Sequence, residues 1–518
     1  MRPMEKTISH RTIFLNNFSN AMGPITFVVI SFFMMPFYLK TLGLALYGIW
    51  HMVQSVVNYM SLMDLGMQSA VQKYVAECQG KEDRESLSQV ILSALVFYGL
   101  IAFVGGVVLI VLVWKGLPLL NVNPEHFSTV QLLLLIMGID MLLTFPGTVS
   151  LGVLTGMQLF YVTNSIRIIF GIITAVAIYL ALSNGHGVAA MALISLLGNV
   201  IIYLLLFGLV RWRYHLFSIR QTHFTLAKLQ EMVSFGGKTF LIIIAGRIKQ
   251  SSPPLIVGYF LSAAWVPFYT VPANLINYSR ALLSSLTQSF LPLFSNLEAR
   301  KDVESMRSVY IRYSRYTSLC IFPILTLLMI YGEPFLRVWM GSEFAEQGGP
   351  IIVLLSLALL IYTINPLGIM LLIGTARQKI IVLTGFASAG VFLGLGILLI
   401  KHYSLPGLAA AFLIGELIPV YYVLKRSLSA IRLSLVNYFW KSLASVMLVA
   451  FLTSIFVWSI KQIHYPVGYL DLALQLAFGV LFFAAVAYSI VLTREERALL
   501  SGVLMSFGRA MKSAQWRY

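Results

Sequence analysis

Long apolar stretches alternate with short polar segments along the whole chain. A helix needs about 20 apolar residues to cross a bilayer, and fourteen windows of the sequence meet that requirement. We therefore predict an all-α polytopic membrane protein with about 14 transmembrane helices. The predicted spans lie near 14–39, 46–72, 89–113, 127–156, 159–183, 186–210, 232–260, 264–292, 314–335, 348–374, 378–400, 404–424, 438–460 and 468–492.

A row of polar side chains follows the predicted helix over residues 42–77. At 100° per residue, these polar positions fall within an arc of about 140°. They are His51, Gln54, Asn58, Ser61, Asp64, Gln68 and Gln72. Lipid does not solvate such a face, so we expect it to look onto protein or water. The helix ends at a charged loop, GKEDRESL.

Parts of this pattern return 219 positions later, where Asn277-Tyr278 matches Asn58-Tyr59 and ARKDVESM matches GKEDRESL. Six spans separate the copies, so matching helices run in the same direction. The sequence therefore predicts two six-helix lobes related by a pseudo-two-fold axis along the membrane normal, as in transporters with a central cleft. The predicted parts are a first lobe at 1–210, a basic cytoplasmic loop at 211–231, a second lobe at 232–424, two extra spans at 438–492 and a basic cytoplasmic tail at 493–518.

Composition agrees with a membrane protein, since 59% of the residues are apolar and only 11% are charged. The net charge of +17 reflects topology rather than nucleic-acid binding. Of the 36 Lys and Arg, 25 fall on the N-terminal side of the predicted spans and five on the other. The positive-inside rule then places both termini in the cytoplasm, with membrane lipid headgroups as partners of the basic surface.

No catalytic, cofactor or metal-ligand motif is visible, so we expect a protein that is not an enzyme and needs neither cofactor nor metal. HExxH, P-loop and GxSxG patterns are absent from the sequence. The two cysteines, Cys78 and Cys320, are expected to be structural or incidental thiols rather than a disulfide.

Eight charged residues lie more than five residues from either end of a predicted span, and each is costly there unless it is paired or hydrated. A rise of 1.5 Å per residue gives their depth from the cytoplasmic end. Four of them lie roughly 9–12 Å deep, as expected for a gate: Asp64, Glu416, Arg167 and Lys238. The other four lie roughly 18–25 Å deep, as expected for a binding cavity: Arg280, Arg247, Lys249 and Asp140.

Arg280 is the leading candidate for substrate binding. It lies on a polar stripe of the eighth span with Asn277 and Ser284, and the repeat puts it at the position of Ser61. A guanidinium at this depth can bind phosphate oxygens through two hydrogen bonds. The alternative is a structural ion pair with Asp64 or Asp140. The full predicted cationic cavity is Arg280, Lys249, Lys238, Arg247, Asn277 and Asn58.

Four residues are candidates for gating or ion coupling: Asp64, Arg167, Asp140 and Glu416. Asp64 either couples an ion or forms a structural salt bridge, for which Arg167 lies at a matching depth. Polar strips around Asp140 and Arg167 also fit ordinary hydrogen bonding between membrane helices. Glu416 stands alone in the sequence and either carries a proton or fills a packing defect.

The seventh span is irregular, SFGGKTFLIIIAGRIKQSSPPLIVGYF. Its consecutive prolines, Pro253 and Pro254, remove backbone donors and clash with the preceding turn, so a kink or break is expected. With Gly246, these residues form either a static kink or a hinge that bends during transport.

The run LG…YGIW…Y-x-SLMDLG…VQKYVAE…GK-D, within the first 90 residues, resembles the Wzx-type polysaccharide transporters of bacteria. These belong to the multidrug/oligosaccharidyl-lipid/polysaccharide superfamily. The resemblance implies a MATE- or MurJ-like fold in the bacterial inner membrane. It also implies a flippase for a polyisoprenyl-pyrophosphate-linked oligosaccharide, such as an O-antigen, capsule or exopolysaccharide repeat unit. A polysaccharide polymerase and glycosyltransferases would be its protein partners.

Two other functions stay open. A cation-coupled multidrug exporter of the same superfamily would favour an acidic, aromatic cavity, whereas five cations face three acids inside the predicted spans. A non-transporting scaffold of a polysaccharide synthase complex would favour a sealed interior without charges. The embedded cations argue against both.

Overall fold

The computed structural model describes residues 10–115, 120–213 and 224–498. These residues form α-helices with short 3₁₀ and π segments and no β-strand, which confirms the predicted fold class. The α-helices are α1 His10–Met60, α2 Met67–Lys81, α3 Arg84–Lys115, α4 Phe127–Gly156, α5 Phe160–Ser183, α6 Val188–Gly208, α7 Leu226–Phe260, α8 Val266–Gln288, α9 Phe290–Ala299, α10 Val303–Met340, α11 Ser342–Tyr362, α12 Gly368–Gly374, α13 Lys379–Ala430, α14 Leu435–Tyr438, α15 Ala444–Ile463 and α16 Tyr469–Ile490.

Ten helices among the described residues are long and apolar enough to cross a membrane. Two of these ten, Phe18–Asp64 and Lys379–Ala430, each cover two predicted spans. Their backbone leaves the helical region once, at Gly43 and at Ser404. α7 and α8 match two further predicted spans but are more polar and are not among the ten. The chain is a multi-pass membrane protein, and the count of fourteen stays a prediction.

The described helices belong to two compact units. Unit 1 comprises Met1–Asn274 and Gly385–Gly415, and unit 2 comprises Leu275–Thr384 and Glu416–Tyr518. Unit 1 therefore holds α1 to α7 and the middle of α13. Unit 2 holds α9 to α12, α14 to α16 and the rest of α13. This division by contacts is a different partition from the predicted lobes, whose boundaries stay a prediction.

The predicted continuous helix over residues 42–77 is wrong. α1 ends at Met60, and a 3₁₀ turn, Ser61–Asp64, follows it. Leu65 and Gly66 then adopt left-handed backbone angles, with φ of 48° and 77°, before α2 begins. The polar row is thus split between two helices. Close packing explains the break, because a Cβ on Gly66 would lie 2.4 Å from the Gly236 carbonyl oxygen of α7.

The predicted tenth span is also interrupted, between α11 and α12. Hydroxyl groups from neighbouring helices bind the polar atoms that this gap exposes. The Tyr310 hydroxyl donates to the Asn365 side chain, and the Tyr438 hydroxyl donates to the Ile364 carbonyl at 2.7 Å. Ser427 donates to the Gly368 carbonyl at 3.3 Å. The bond to Ile364 replaces a helix hydrogen bond that lipid could not supply.

Of the expected kink or break in the seventh span, the break does not occur. α7 runs from Leu226 to Phe260 as one helix, with Pro253 and Pro254 inside it. The prolines remove the helix donors to the carbonyls of Lys249 and Gln250. One residue earlier, the hydroxyls of Tyr59 and Ser252 lie 2.5 Å apart, and both reach the Ile248 carbonyl, at 3.3 and 2.6 Å. These bonds tie α1 to α7 in the turn before the prolines.

Candidate functional site

Arg280 lies on α8 beside a buried carboxylate of unit 2. Its guanidinium Nη2 is 3.5 Å from the Glu416 Oε1 on α13, and its Cζ is 5.2 Å from the centre of the Tyr362 ring. The Glu416 side chain is 4% exposed, whereas that of Arg280 is 25% exposed. The sequence treats Glu416 as isolated and offers Asp64 or Asp140 as the partner of Arg280. Glu416 is not isolated, because it is within ion-pair distance of Arg280. The alternative pairing of Arg280 with Asp64 or Asp140, which belong to unit 1, stays a prediction.

This arrangement suits the binding of an anion. Glu416 lies on one side of the Arg280 guanidinium and the Tyr362 ring lies close to it, while the Arg280 side chain as a whole is a quarter exposed. An arginine presents five donors in a planar fork, so it can hold one carboxylate and still offer donors to phosphate oxygens. The buried carboxylate also limits how far Arg280 can move.

Lys249 is the second predicted cation with a defined environment. Its side chain extends from α7 to the unit 1 part of α13. There the ammonium donates to the Ser388 hydroxyl at 2.9 Å and lies 4.7 Å from the centre of the Phe412 ring. The residue is only 8% exposed. A cation so enclosed would have to leave its pocket to reach a ligand, so Lys249 is a weaker candidate than Arg280.

The surroundings of the other predicted cavity residues are less well defined. Arg247 is half-buried on α7, two residues before Lys249. The side chain of Lys238 lies outside the part of the chain that the structure describes. Asn58 is half-buried near the end of α1, and Asn277 is exposed on α8. Their assignment to a substrate cavity stays a prediction.

Asp64 closes the 3₁₀ turn that follows α1. Its carboxylate accepts a hydrogen bond from the Tyr98 hydroxyl of α3. The backbone amides of Gly66 and Gln68, on either side of the first residue of α2, also lie close to the carboxylate. The expected partner, Arg167, lies exposed on α5 and makes no salt bridge with Asp64 in the described structure. The predicted Asp64–Arg167 pair is thus wrong.

Asp140 and Arg167 belong to a second polar group of unit 1. The Asp140 Oδ2 accepts from the Asn199 amide of α6 at 2.8 Å, whereas its Oδ1 is buried without a hydrogen-bond partner in the described structure. Tyr203, one turn further along α6, lies within electrostatic reach of both Asp140 and Arg167. Sequence patterns missed Tyr98, Asn199 and Tyr203, because single neutral polar residues in an apolar span carry no distinguishing signal.

Replacement of both Pro253 and Pro254 by alanine tests the hinge prediction. We expect the double variant to restore two helix hydrogen bonds and stiffen α7, so that turnover falls more than substrate affinity. Spin labels at the exposed Leu241 and Tyr259 report the length of α7. Pro146→Ala, in the interior of α4, is the matched control. Wild-type transport with an unchanged distance would make the prolines a packing feature.

Comparison with known proteins defines the family. The sequence profile of a family described as polysaccharide biosynthesis protein matches residues 41–348, more than half of the chain. The chain belongs to this family. The match contains the helix break at Leu65–Gly66, α7 and Arg280. It confirms the resemblance that the first 90 residues carry.

Two relatives are similar to this chain over most of its length. The "Uncharacterized membrane protein EpsK" of Bacillus subtilis is 24% identical over 343 residues, which are 64% of this chain. The match spans 66% of EpsK, just under two thirds of its length. The "Putative O-antigen transporter" of Shigella flexneri is 21% identical over 77% of this chain and 94% of its own.

Solved structures confirm the fold of this chain. The lipid II flippase MurJ, in an inward closed conformation, aligns with a TM-score of 0.67 at 14% identity, over 92% of this chain and 98% of MurJ. An inward-facing MATE family multidrug transporter of the MOP superfamily aligns with a TM-score of 0.60 at 14% identity, over 75% of this chain and 94% of its own. The chain therefore has the fold of these membrane transporters.

Proposed function

We propose that the protein is a flippase for a lipid-linked oligosaccharide. It would move a polyisoprenyl-pyrophosphate-linked repeat unit of an O-antigen, capsule or exopolysaccharide from the cytoplasmic leaflet outward by alternating access. The observation that carries the proposal is Arg280, a partly exposed guanidinium on a membrane helix of a polysaccharide biosynthesis protein. The transporter fold and the O-antigen transporter relative support it.

The proposed mechanism places the charged headgroup on protein and leaves the lipid tail in the bilayer. Pyrophosphate oxygens would bind the exposed donors of Arg280, which Glu416 holds in place. Binding of an anion next to Glu416 also weakens the hold of the carboxylate on the guanidinium. The carboxylate and the pyrophosphate therefore compete for one cation, which lets the substrate be released on the far side.

A multidrug exporter is the nearest rival and fits less well. An exporter of organic cations needs an accessible carboxylate in its cavity, whereas Glu416 is 4% exposed and lies against Arg280. Asp140 and Asp64 in unit 1 bind neutral donors and would serve ion coupling rather than substrate selection.

Depletion of the protein tests the proposed function. We expect the lipid-linked oligosaccharide to accumulate in the cytoplasmic leaflet, because its assembly continues while its export stops. Mass spectrometry identifies the lipid, and a membrane-impermeant reagent that modifies sugars in spheroplasts reports the leaflet. Unaltered lipid pools and normal surface polysaccharide after depletion would contradict the proposal.

The proposed location is the inner membrane, with both termini in the cytoplasm. In a Cys78→Ser, Cys320→Ser background, cysteines at Arg220 and Ser305 should react only after the membrane is permeabilised. A cysteine at Asn184, in the opposite predicted loop, should react in intact spheroplasts and is the control. Reversed labelling would refute the topology. Polymerase and glycosyltransferases remain the proposed protein partners.

A further inference from the structure

Two lysines join α2 to α7 at the end of unit 1 that the charge distribution predicts to be cytoplasmic. The Lys73 ammonium of α2 lies 3.9 Å from the centre of the Tyr74 ring and 4.9 Å from that of Phe235 on α7. The Lys228 ammonium of α7 reaches back and lies 4.5 Å from the Tyr74 ring. The rings of Tyr74 and Phe235 meet edge to face at 6.1 Å.

A close backbone contact continues the same boundary. A Cβ on Gly236, next to Phe235, would lie 2.8 Å from the Leu65 carbonyl oxygen. We call this boundary the α2–α7 seam, formed by Gly66, Lys73 and Tyr74 on one side and Lys228, Phe235 and Gly236 on the other. Nothing larger than glycine fits at its inner end, so the seam is fully closed in this conformation.

Two contacts that cross the seam can be displaced by an anion, namely the cation–π contacts of Lys73 with Phe235 and of Lys228 with Tyr74. Within each helix, lysines also pair with carboxylates: Lys73 and Lys81 with Glu77 at 3.9 and 2.8 Å on α2, and Lys228 with Glu231 at 2.9 Å on α7. The hydrogen bond from Lys228 holds the pKa of Glu231 below its usual value. Ion pairs and cation–π contacts at a protein surface are individually weak. A diphosphate carries more charge than either carboxylate and would bind both ammonium groups more strongly.

We infer that Lys73 and Lys228 form a binding site for the diphosphate of a lipid-linked substrate, and that its binding opens the α2–α7 seam. The inference rests on the proposed function and names the step at which substrate is admitted. Both lysines leave the Tyr74 ring to bind the diphosphate, so the same atoms that close the seam recognise the substrate. Only a charged headgroup would then open the protein, and an uncharged lipid would not.

The native Cys78 reports on the seam without an added probe. It lies one turn after Tyr74 on the same face of α2, is 6% exposed, and is within electrostatic reach of Lys228. Burial also raises the pKa of its thiol. Alkylation should therefore be slow while the seam is closed and faster once it opens. Cys320→Ser leaves Cys78 as the single thiol, because the chain has two cysteines.

The experiment measures N-ethylmaleimide labelling of Cys78 in reconstituted Cys320→Ser protein. Farnesyl diphosphate should speed labelling about tenfold, the effect of losing two cation–π contacts, whereas farnesol should have no effect. Inorganic pyrophosphate tests whether the headgroup alone suffices, and acceleration by it also supports the site. Lys73→Gln/Lys228→Gln should label quickly without ligand and gain nothing from farnesyl diphosphate. Lys81→Gln, on the same helix but away from Tyr74, is the matched control and should respond like the parent protein.

Two results would overturn the inference: no acceleration by farnesyl diphosphate in the parent protein, or equal acceleration in the double glutamine variant. Neither result bears on the depletion experiment. If depletion accumulates the lipid-linked oligosaccharide and the seam does not respond, the flippase stands and the site is wrong. If the seam responds and depletion changes nothing, the diphosphate site stands with another cargo.

Discussion

Arg280→Ala should abolish transport while the protein still inserts into the membrane. Two charge-assisted hydrogen bonds to a phosphate are each expected to contribute about 1.5–3 kcal/mol, so their loss predicts at least a 100-fold fall in transport. Arg280→Lys should recover only part of the activity, because an ammonium lacks the planar fork. The measurement is surface polysaccharide in depleted cells that express each variant, normalised to protein level.

A structural role for Arg280 predicts a different pattern, because its removal takes a cation away from the buried Glu416 carboxylate. Breaking a buried ion pair costs up to about 3–5 kcal/mol and would by itself lower stability. The double variant Arg280→Ala/Glu416→Gln removes both charges of the pair and is the decisive control. We expect it to regain thermal stability but not transport. Restored transport in the double variant would show that Arg280 only supports Glu416.

Gly236→Ala should destabilise the closed seam strongly, whereas Gly237→Ala should be nearly neutral. A methyl group on Gly236 would lie 2.8 Å from the Leu65 carbonyl oxygen, while a methyl group on Gly237 would meet no atom within 4 Å. Overpacking at a rigid backbone contact costs about 1–3 kcal/mol. Both glycines lie in the same helix, so the change in helix propensity is the same in the two variants.

Two measurements separate the effect on the seam from general instability. Thermal unfolding should show a lower midpoint for Gly236→Ala only, and Cys78 should be alkylated faster in that variant. Gly66→Ala should be the most severe change, because Gly66 has a φ of 77° and its Cβ would lie 2.4 Å from the Gly236 carbonyl oxygen. Equal stability of Gly236→Ala and Gly237→Ala would show that the backbone moves apart at little cost.

The fold class follows from the sequence because apolar length is a local property. An unbroken membrane helix needs only its own residues to satisfy its backbone, and the apolar windows reveal such helices. Helix breaks are harder to predict, because they depend on neighbours. The polar row of the first lobe has helical spacing, yet the helix breaks at Leu65–Gly66. It breaks there because Gly236 of α7 approaches Gly66 closely. Pro253 and Pro254, the strongest breaker signal in the chain, lie in an unbroken helix.

The charged candidates were predictable as residues but not as pairs. Arg280 and Glu416 are 136 positions apart, and nothing in the sequence selects Glu416 over Asp64 or Asp140. The hydrogen bond from Lys249 to Ser388 could not be predicted for the same reason, because its two residues are far apart in the sequence. Asn365-Pro366, by contrast, carried a turn signal that marks the interruption of the tenth span. In the sequence, the seam lysines Lys73 and Lys228 look like ordinary charges of cytoplasmic loops. Their contacts could not be predicted, because the aromatic rings that they meet lie on two different helices.

The interruption between α11 and α12 has a consequence for how the protein is made. When the ribosome has completed residue 375, the Ile364 and Gly368 carbonyls still lack the hydroxyls that bind them. Those donors, on Tyr438 and Ser427, are 74 and 59 residues further along the chain. Lipid offers no substitute for the Tyr438 hydroxyl at the Ile364 carbonyl, so we expect the span to be incomplete until Tyr438 has been made. We therefore expect a truncation before Tyr438 to be less stable in the membrane and to be cleared by membrane quality control.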